Sequence, residues 1–115
     1  MTAQNGLYKA DTTILSGTTT SDAVASSGGV LAGIYAPASM TGASISFTVA
    51  NADDPTTFVP VRDQLGSLVT VTLNAAASYY SLRGILPFGA DFVRVVSASS
   101  EASNRALKLV FQAVI

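Results

Sequence analysis

The stretch GIYAPASMTGASISFTVANADD, residues 33–54, decides how this chain folds. Apolar and hydroxyl side chains alternate strictly over residues 44–49, which predicts a strand with one face toward a core. Pro37 and Gly42 mark a turn before that strand, and Asp53-Asp54-Pro55 ends it. Because nothing in the stretch is an obvious nucleophile, base or soft metal ligand, it indicates architecture rather than chemistry.

The same two-residue period continues beyond this stretch, over residues 69–73 and 107–114. Less regular apolar runs cover residues 12–16, 19–25, 30–36, 57–62, 78–82 and 91–97, separated by turn signals rich in Gly, Ser, Asn and Asp. About eight or nine short strands at regular spacing predict an all-β protein, either an antiparallel sandwich or a barrel.

The length of 115 residues corresponds to one domain. Residues 1–10 are polar and aperiodic apart from Leu7 and Tyr8, so we predict an N-terminal arm over 1–10 and a β domain over 11–115. Residues 1–13 lack the basic and apolar regions of a signal peptide. No apolar stretch approaches the ~18 to 20 residues that cross a bilayer, so we expect a soluble protein made in the cytoplasm, without a membrane partner.

Two local features refine the strand prediction. A hairpin is expected between residues 57–63 and 68–74, with Gly66 taking a positive φ in the turn. Pro60 cannot donate to a ladder, so its strand should lie at a sheet edge or be bulged there. A short helical turn is an alternative over residues 74–78 and over residues 99–106.

The charge pattern argues against nucleic-acid binding. The net charge is −1 and only 11% of the residues are charged. Phosphate recognition needs a concentrated positive patch, whereas the six basic residues are scattered, at Lys9, Arg62, Arg83, Arg94, Arg105 and Lys108. The 26 Ser and Thr residues predict hydroxyl-rich strand faces, which also suit contact with another protein.

The composition also argues against an enzyme. The chain has no His and no Cys, so neither a Ser-His-Asp nor a Cys-His arrangement can be built. The single Glu, Glu101, lies in a polar turn, where its pKa has little cause to rise. Adjacent Asp53 and Asp54 cannot flank a substrate, and no glycine-rich phosphate loop is present. We therefore predict no catalytic residue and no cofactor.

A calcium site is the one metal centre that the sequence raises. Asn51, Asp53 and Asp54 could offer oxygen ligands to this hard cation. The same residue types are ordinary before Pro55, where their side chains bond the local backbone. Without a distal Glu at calcium-loop spacing, the turn interpretation is favoured and no metal site is predicted.

Adjacent Tyr79 and Tyr80 point to opposite faces of a strand, so one should be exposed. An exposed tyrosine can stack on a sugar or anchor a protein interface, although packing is the favoured role. Five other aromatic residues are expected in the core, namely Tyr35, Phe47, Phe58, Phe92 and Phe111.

The remaining charged residues of the strands have no partner that the sequence identifies. Arg94 is expected to be exposed or paired with a carboxylate such as Asp91. Arg105 and Lys108 are interpreted as solvated charges beside the last strand.

Four segments together resemble a group of small structural proteins of tailed bacteriophages, over about residues 18–115. They are residues 33–63, then VTVTLNAAASYYSL, GADFVRVVSASS and NRALKLVFQAVI. The shared features are a Pro turn, a Thr-Gly-Ala-led strand, an Asp turn, a Phe-Val-Arg-Val strand and an Arg-led final strand. This chain departs where Met40 replaces a common aromatic, and where the Asp turn lacks its usual glycine.

Proteins of this group resemble jelly-roll cement or decoration proteins of the outer capsid surface. The resemblance implies a jelly-roll-like antiparallel β-sandwich in the virion that bridges major capsid protein subunits, as dimers or trimers with a terminal arm on the shell. Leu7, Tyr8 and Lys9 in the arm are then the expected contacts, and Ile115 with the final strand could pair with another copy through an open edge. The alternatives are a carbohydrate- or host-surface-binding module of a head or tail fibre, or a tail or baseplate subunit.

Overall fold

The structure, a computed structural model, describes residues 6–82 and 90–113. Within these ranges the chain forms nine strands and no helix, so no described helix could span a membrane. The strands are β1 (Leu7–Ile14), β2 (Val24–Ala25), β3 (Val30–Ala36), β4 (Ser44–Asn51), β5 (Asp54–Pro60), β6 (Thr70–Thr72), β7 (Ser78–Ser81), β8 (Phe92–Ser97) and β9 (Arg105–Gln112).

The strands form two antiparallel sheets packed face to face. The first sheet has the order β1-β9-β3-β7, and the second has the order β2-β8-β4-β5 with β6 also on β4. β5 and β6 pair with successive parts of the same edge of β4. When these two are counted as one interrupted strand, each sheet has four strands, and their order is that of a jelly roll. The predicted all-β sandwich is thus confirmed.

The interruption between β5 and β6 is a short excursion over residues 61–69. Val61 donates to Phe47 O at 3.0 Å, and Val69 then donates to Val61 O at 3.0 Å as the chain returns. Gly66 turns the excursion with a φ of 85°, as predicted. The flanking strands pair with β4 rather than with each other, so the predicted hairpin is limited to this excursion. Pro60 lies in edge strand β5, as expected of a residue without an amide proton.

Alternating side chains of both sheets meet in one apolar core. Ile34, Phe47, Leu109 and Phe111 are fully buried there. Among the aromatic residues expected in the core, Phe47 and Phe111 are confirmed, whereas Phe58 and Phe92 are only partly buried. Tyr35 is 45% exposed, so the prediction that it lies in the core was wrong. It lies in β3 at a position whose side chain faces away from the second sheet.

The N-terminal boundary differs from the predicted one. β1 starts at Leu7 and pairs with β9 along eight residues, from Leu7–Gln112 to Ile14–Arg105. Residues 7–10 therefore belong to the sandwich, and residues 1–5 lie outside the described part. Small Ala10 and polar Thr12 occupy inward positions of β1, which hides the two-residue period in the sequence.

The neighbours of the last strand, β9, also differ from those expected. β9 lies between β1 and β3, so both of its edges are already paired. The expectation that this strand offers an open edge for self-association was therefore wrong, and Ile115 lies outside the described residues. Neither helical alternative occurs, because residues 74–77 form an irregular turn before β7 and residues 98–104 form another before β9.

Candidate functional site

A buried carboxylate joins three parts of the chain at one end of the sandwich. Glu101 is only 1% exposed. It accepts hydrogen bonds from the backbone nitrogens of Thr41 (2.8 Å) and Gly42 (2.9 Å), from Ser97 Oγ (2.7 Å) and from Arg105 Nε (2.9 Å). We call this group the Glu101 clamp. It ties the turn before β4 to the end of β8 and the start of β9.

The clamp explains the Thr-Gly pair of the opening stretch. A Cβ atom on Gly42 would collide with Ser97 Oγ, so this position requires glycine for space. Thr41 adds a second tie, because its Oγ1 accepts from the backbone nitrogen of Ala102 at 3.0 Å. The turn is therefore held by the Glu101 carboxylate, and Glu101 lies 59 residues after Gly42 in the sequence.

The clamp keeps the Glu101 carboxylate ionised. Burial by itself raises the pKa of this group. The hydrogen bonds from Ser97, Gly42, Thr41 and Arg105 outweigh burial and lower the pKa to about 2. With its oxygens committed to these donors, the carboxylate serves structure rather than proton transfer.

Two sequence interpretations change here. Glu101 was placed in a polar turn, but its side chain is buried. Arg105 was interpreted as a solvated charge, yet only 17% of its side chain is exposed and it forms an ion pair with Glu101. Lys108 does remain an exposed charge, 3.7 Å from Asp11 Oδ1.

Two exposed tyrosines form the most distinctive feature of the first sheet. Tyr35 on β3 and Tyr79 on β7 are directly opposite each other in the ladder. Their ring centroids are 4.6 Å apart with an interplanar angle of 48°, and the residues are 45% and 46% exposed. Tyr79 lies over Gly33, where a side chain would collide with its ring. Tyr80 instead packs against the core, so the prediction of opposite faces is confirmed.

The tyrosine pair lines an open groove of about 570 Å³ on the outer face of this sheet. The groove lining combines aromatic, small and charged residues: Asp11, Tyr35, Ala36, Pro37, Ala77, Ser78, Tyr79, Ala106, Leu107 and Lys108. Asp11 and Lys108 neutralise each other's charge. Such a lining can bind a ligand through ring faces and hydrogen bonds.

The residues predicted to contact a partner are divided between two faces of β1. Leu7 and Lys9 are exposed on the outer face of the first sheet. Tyr8 turns inward, stacks on Phe111 with centroids 5.4 Å apart, and donates a hydrogen bond to the carbonyl of Ser26. Ile115 lies outside the described residues, so the structure brings together only Leu7 and Lys9.

The Asp turn after β4 shows local hydrogen bonding. Thr57 and Thr56 lower the pKa of Asp54 by hydrogen bonding, and Thr56 Oγ1 lies 3.2 Å from Asp54 Oδ1. This is the behaviour that the turn interpretation predicts. No cluster of three or more metal-ligating His, Cys, Asp or Glu side chains occurs in residues 6–82 and 90–113.

Arg94 takes neither of its predicted arrangements. Its guanidinium carbon lies 4.2 Å from the ring centroid of Phe58, a cation–π contact. Asp91 instead accepts a hydrogen bond from the backbone nitrogen of Ala52 at 2.7 Å.

Comparison with known proteins shows the fold. No protein-family model matches the chain, and no curated protein matches it in sequence. Among solved structures, the chain is similar to the crystal structure of SPBc2 prophage-derived protein YomS, with a TM-score of 0.53 and 10% identity. The match covers 91% of this chain and 93% of that chain, so the similarity extends over nearly the whole sandwich.

Proposed function

We propose that this chain is a non-enzymatic structural protein of a phage particle, and specifically a capsid cement protein that bridges major capsid subunits. The observation that carries this proposal is the nearly end-to-end similarity of its jelly roll to a prophage-derived protein. The resemblance of residues 18–115 to small phage structural proteins, which depends on sequence features alone, points the same way.

The chemistry of the described surface supports a binding role. The Glu101 carboxylate is buried and fully hydrogen-bonded, and Asp11 is paired with Lys108. A cement protein needs many modest contacts rather than one reactive group. Each copy would resist separation of neighbouring shell subunits when packaged DNA presses outward, and many copies would multiply this effect.

The Tyr35–Tyr79 groove favours a second candidate, a carbohydrate- or host-surface-binding module of a head or tail fibre. Exposed tyrosine rings can stack on the apolar face of a sugar, and their hydroxyls can bond its polar groups. A tail or baseplate subunit is a third location for the same fold.

Cryo-electron microscopy of particles, with and without this protein, tests the proposed location. Cement function predicts density of this size on the outer shell, between capsid subunits, that disappears when the protein is absent. Density only on the tail or fibres would overturn the cement assignment. Loss of adsorption to host cells by particles with intact shells would instead support the fibre module.

A further inference from the structure

The second sheet has an outer face that is almost free of charge. Its five strands contain two charged residues among the described positions, Arg94 of β8 and Asp54 at the start of edge strand β5. Most of the other outward side chains are hydroxyl-bearing or apolar, and include Ser44, Ser46 and Thr48 of β4, Phe58 and Pro60 of β5, Thr70 and Thr72 of β6, and Phe92 and Val96 of β8. By contrast, the outer face of the first sheet carries Lys9, Asp11 and Lys108.

Arg94 is held in place across the middle of this face. It is directly opposite Thr48 of the central strand β4, and Thr48 in turn is opposite Pro60 of β5. The guanidinium reaches over β4 to the ring of Phe58, on the strand beyond. The side chain is therefore ordered by its packing before any partner binds, which reduces the entropy lost on binding.

Two polar atoms beneath this face, one of Arg94 and one of Thr48, have no hydrogen-bond partner in the described part of the chain. Arg94 Nε and Thr48 Oγ1 are both buried without a hydrogen-bond partner. Buried polar atoms are usually satisfied, and an unsatisfied one calls for an explanation. Because Nε itself is covered, a partner that docks here would supply acceptors to the terminal Nη atoms of the guanidinium, and it would displace water from a surface with few charges to desolvate.

The chemistry of the face specifies the partner. A guanidinium pairs best with a planar carboxylate, through two parallel hydrogen bonds. Interface centres are depleted in Lys, Glu and Asp and enriched in Arg and aromatic residues, as the part of this face around Arg94 and Phe58 is. A nucleic acid would need several cations, and here there is one.

From this arrangement we propose that the outer face of the second sheet docks on a shell protein, with Arg94 binding a carboxylate of that partner. This inference rests on the proposed structural function and adds to it the contacting surface and the partner's chemistry. Leu7 and Lys9, two of the contacts expected from the resemblance, are exposed on the opposite sheet, so the two surfaces can be tested separately.

Add-back of purified protein to particles that lack it tests the inference. The amounts bound by wild type, Arg94→Gln and Arg94→Lys are measured by co-sedimentation over a range of salt concentrations. We expect Arg94→Gln to weaken binding by roughly tenfold or more, and Arg94→Lys to restore it only in part, because an ammonium lacks the planar fork. Arg62→Gln removes an equal charge from the exposed excursion and is the matched control.

Each outcome is decisive. Binding that weakens in Arg94→Gln but not in Arg62→Gln, with a shallower salt dependence, supports the inference. Equal binding by wild type and Arg94→Gln overturns it and leaves the cement function standing. Wild-type protein that binds no particle overturns the cement function itself. A change in oligomeric state of Arg94→Gln, seen by analytical ultracentrifugation, would assign the face to contact between copies and also overturn the inference.

Thermal unfolding of each variant shows whether it is folded, so that weaker binding caused by misfolding is recognised. Phe58→Leu provides a second route, since it removes the cation–π contact while it keeps the charge. It should weaken binding less than Arg94→Gln does. Unchanged binding by a folded Arg94→Gln overturns the inference whatever the result for Phe58→Leu.

Discussion

Glu101 Oε2 lies 2.9 Å from the backbone nitrogen of Gly42, and Gly42 has no space for a side chain at that point. Ser97 Oγ donates to the same carboxylate oxygen and occupies the space that a Cβ on Gly42 would need. The contact between Glu101 and Gly42 joins the segment before β4 to the segment between β8 and β9, and so links sequence-distant parts of the sandwich.

Replacement of Gly42 by Ala should destabilise the fold by roughly 2 kcal/mol or more, because the new Cβ displaces Ser97 Oγ from the clamp. Urea unfolding followed by circular dichroism measures the loss. Gly17→Ala is the control: Gly17 has a φ of 82° and open space around it, so only backbone strain of about 1 kcal/mol is expected. Equal losses for the two variants would contradict the packing argument.

Replacement of Glu101 by Gln should cost about 3 kcal/mol at neutral pH. It leaves Arg105 without its ionic partner and presents an amide group to donors that require an acceptor. Chemical denaturation at pH 7 measures the effect. A loss below about 0.5 kcal/mol would show that the clamp does not stabilise the fold.

The clamp also predicts how stability depends on pH. The pKa of Glu101 is about 2 in the folded chain, below its ordinary value of 4.5. A carboxylate with a lowered folded pKa contributes stability that is fully present above pH ~4.5 and is lost as the pH falls toward ~2. The difference in unfolding free energy between wild type and Glu101→Gln should therefore narrow as the pH falls through this range. A constant difference would contradict the assigned pKa.

Removal of the exposed ion pair should have little effect by comparison. Lys108 and Asp11 lie 3.7 Å apart, with side chains 46% and 82% exposed. Solvent screens such pairs, so Lys108→Ala should change the unfolding free energy by less than ~1 kcal/mol. Arg105→Ala, measured in parallel, should cost clearly more because its partner is buried. A larger loss of unfolding free energy in Lys108→Ala than in Arg105→Ala would contradict the assignment of one pair as exposed and the other as buried.

The strand pattern was readable from the sequence because it depends on local alternation. Residues 44–49 alternate strictly, and Phe47 and Phe111 are buried as that period predicts. The Glu101 clamp was not readable, because a single Glu among serines looks like a solvated turn until residues 41 and 42 are brought beside it. The Tyr35–Tyr79 pair depends on the β3–β7 register, which no local pattern specifies.

Substitutions in the Tyr35–Tyr79 groove distinguish the cement function from that of a carbohydrate- or host-surface-binding module. Tyr35→Ala combined with Tyr79→Ala should leave the core intact, because nearly half of each residue is exposed. Shell binding by co-sedimentation should be unchanged if the second sheet docks on the capsid. Loss of shell binding in a folded double variant would place the contact on the first sheet instead. Retention of the wild-type chain on a glycan array that the double variant loses would support the fibre module.

Heat challenge of purified particles, with and without this protein and imaged by electron microscopy, tests the central claim most directly. The cement function predicts that shells without the protein burst or release DNA under conditions that shells with it survive. Add-back of the purified chain should restore survival. Equal robustness of the two kinds of shell would contradict the account.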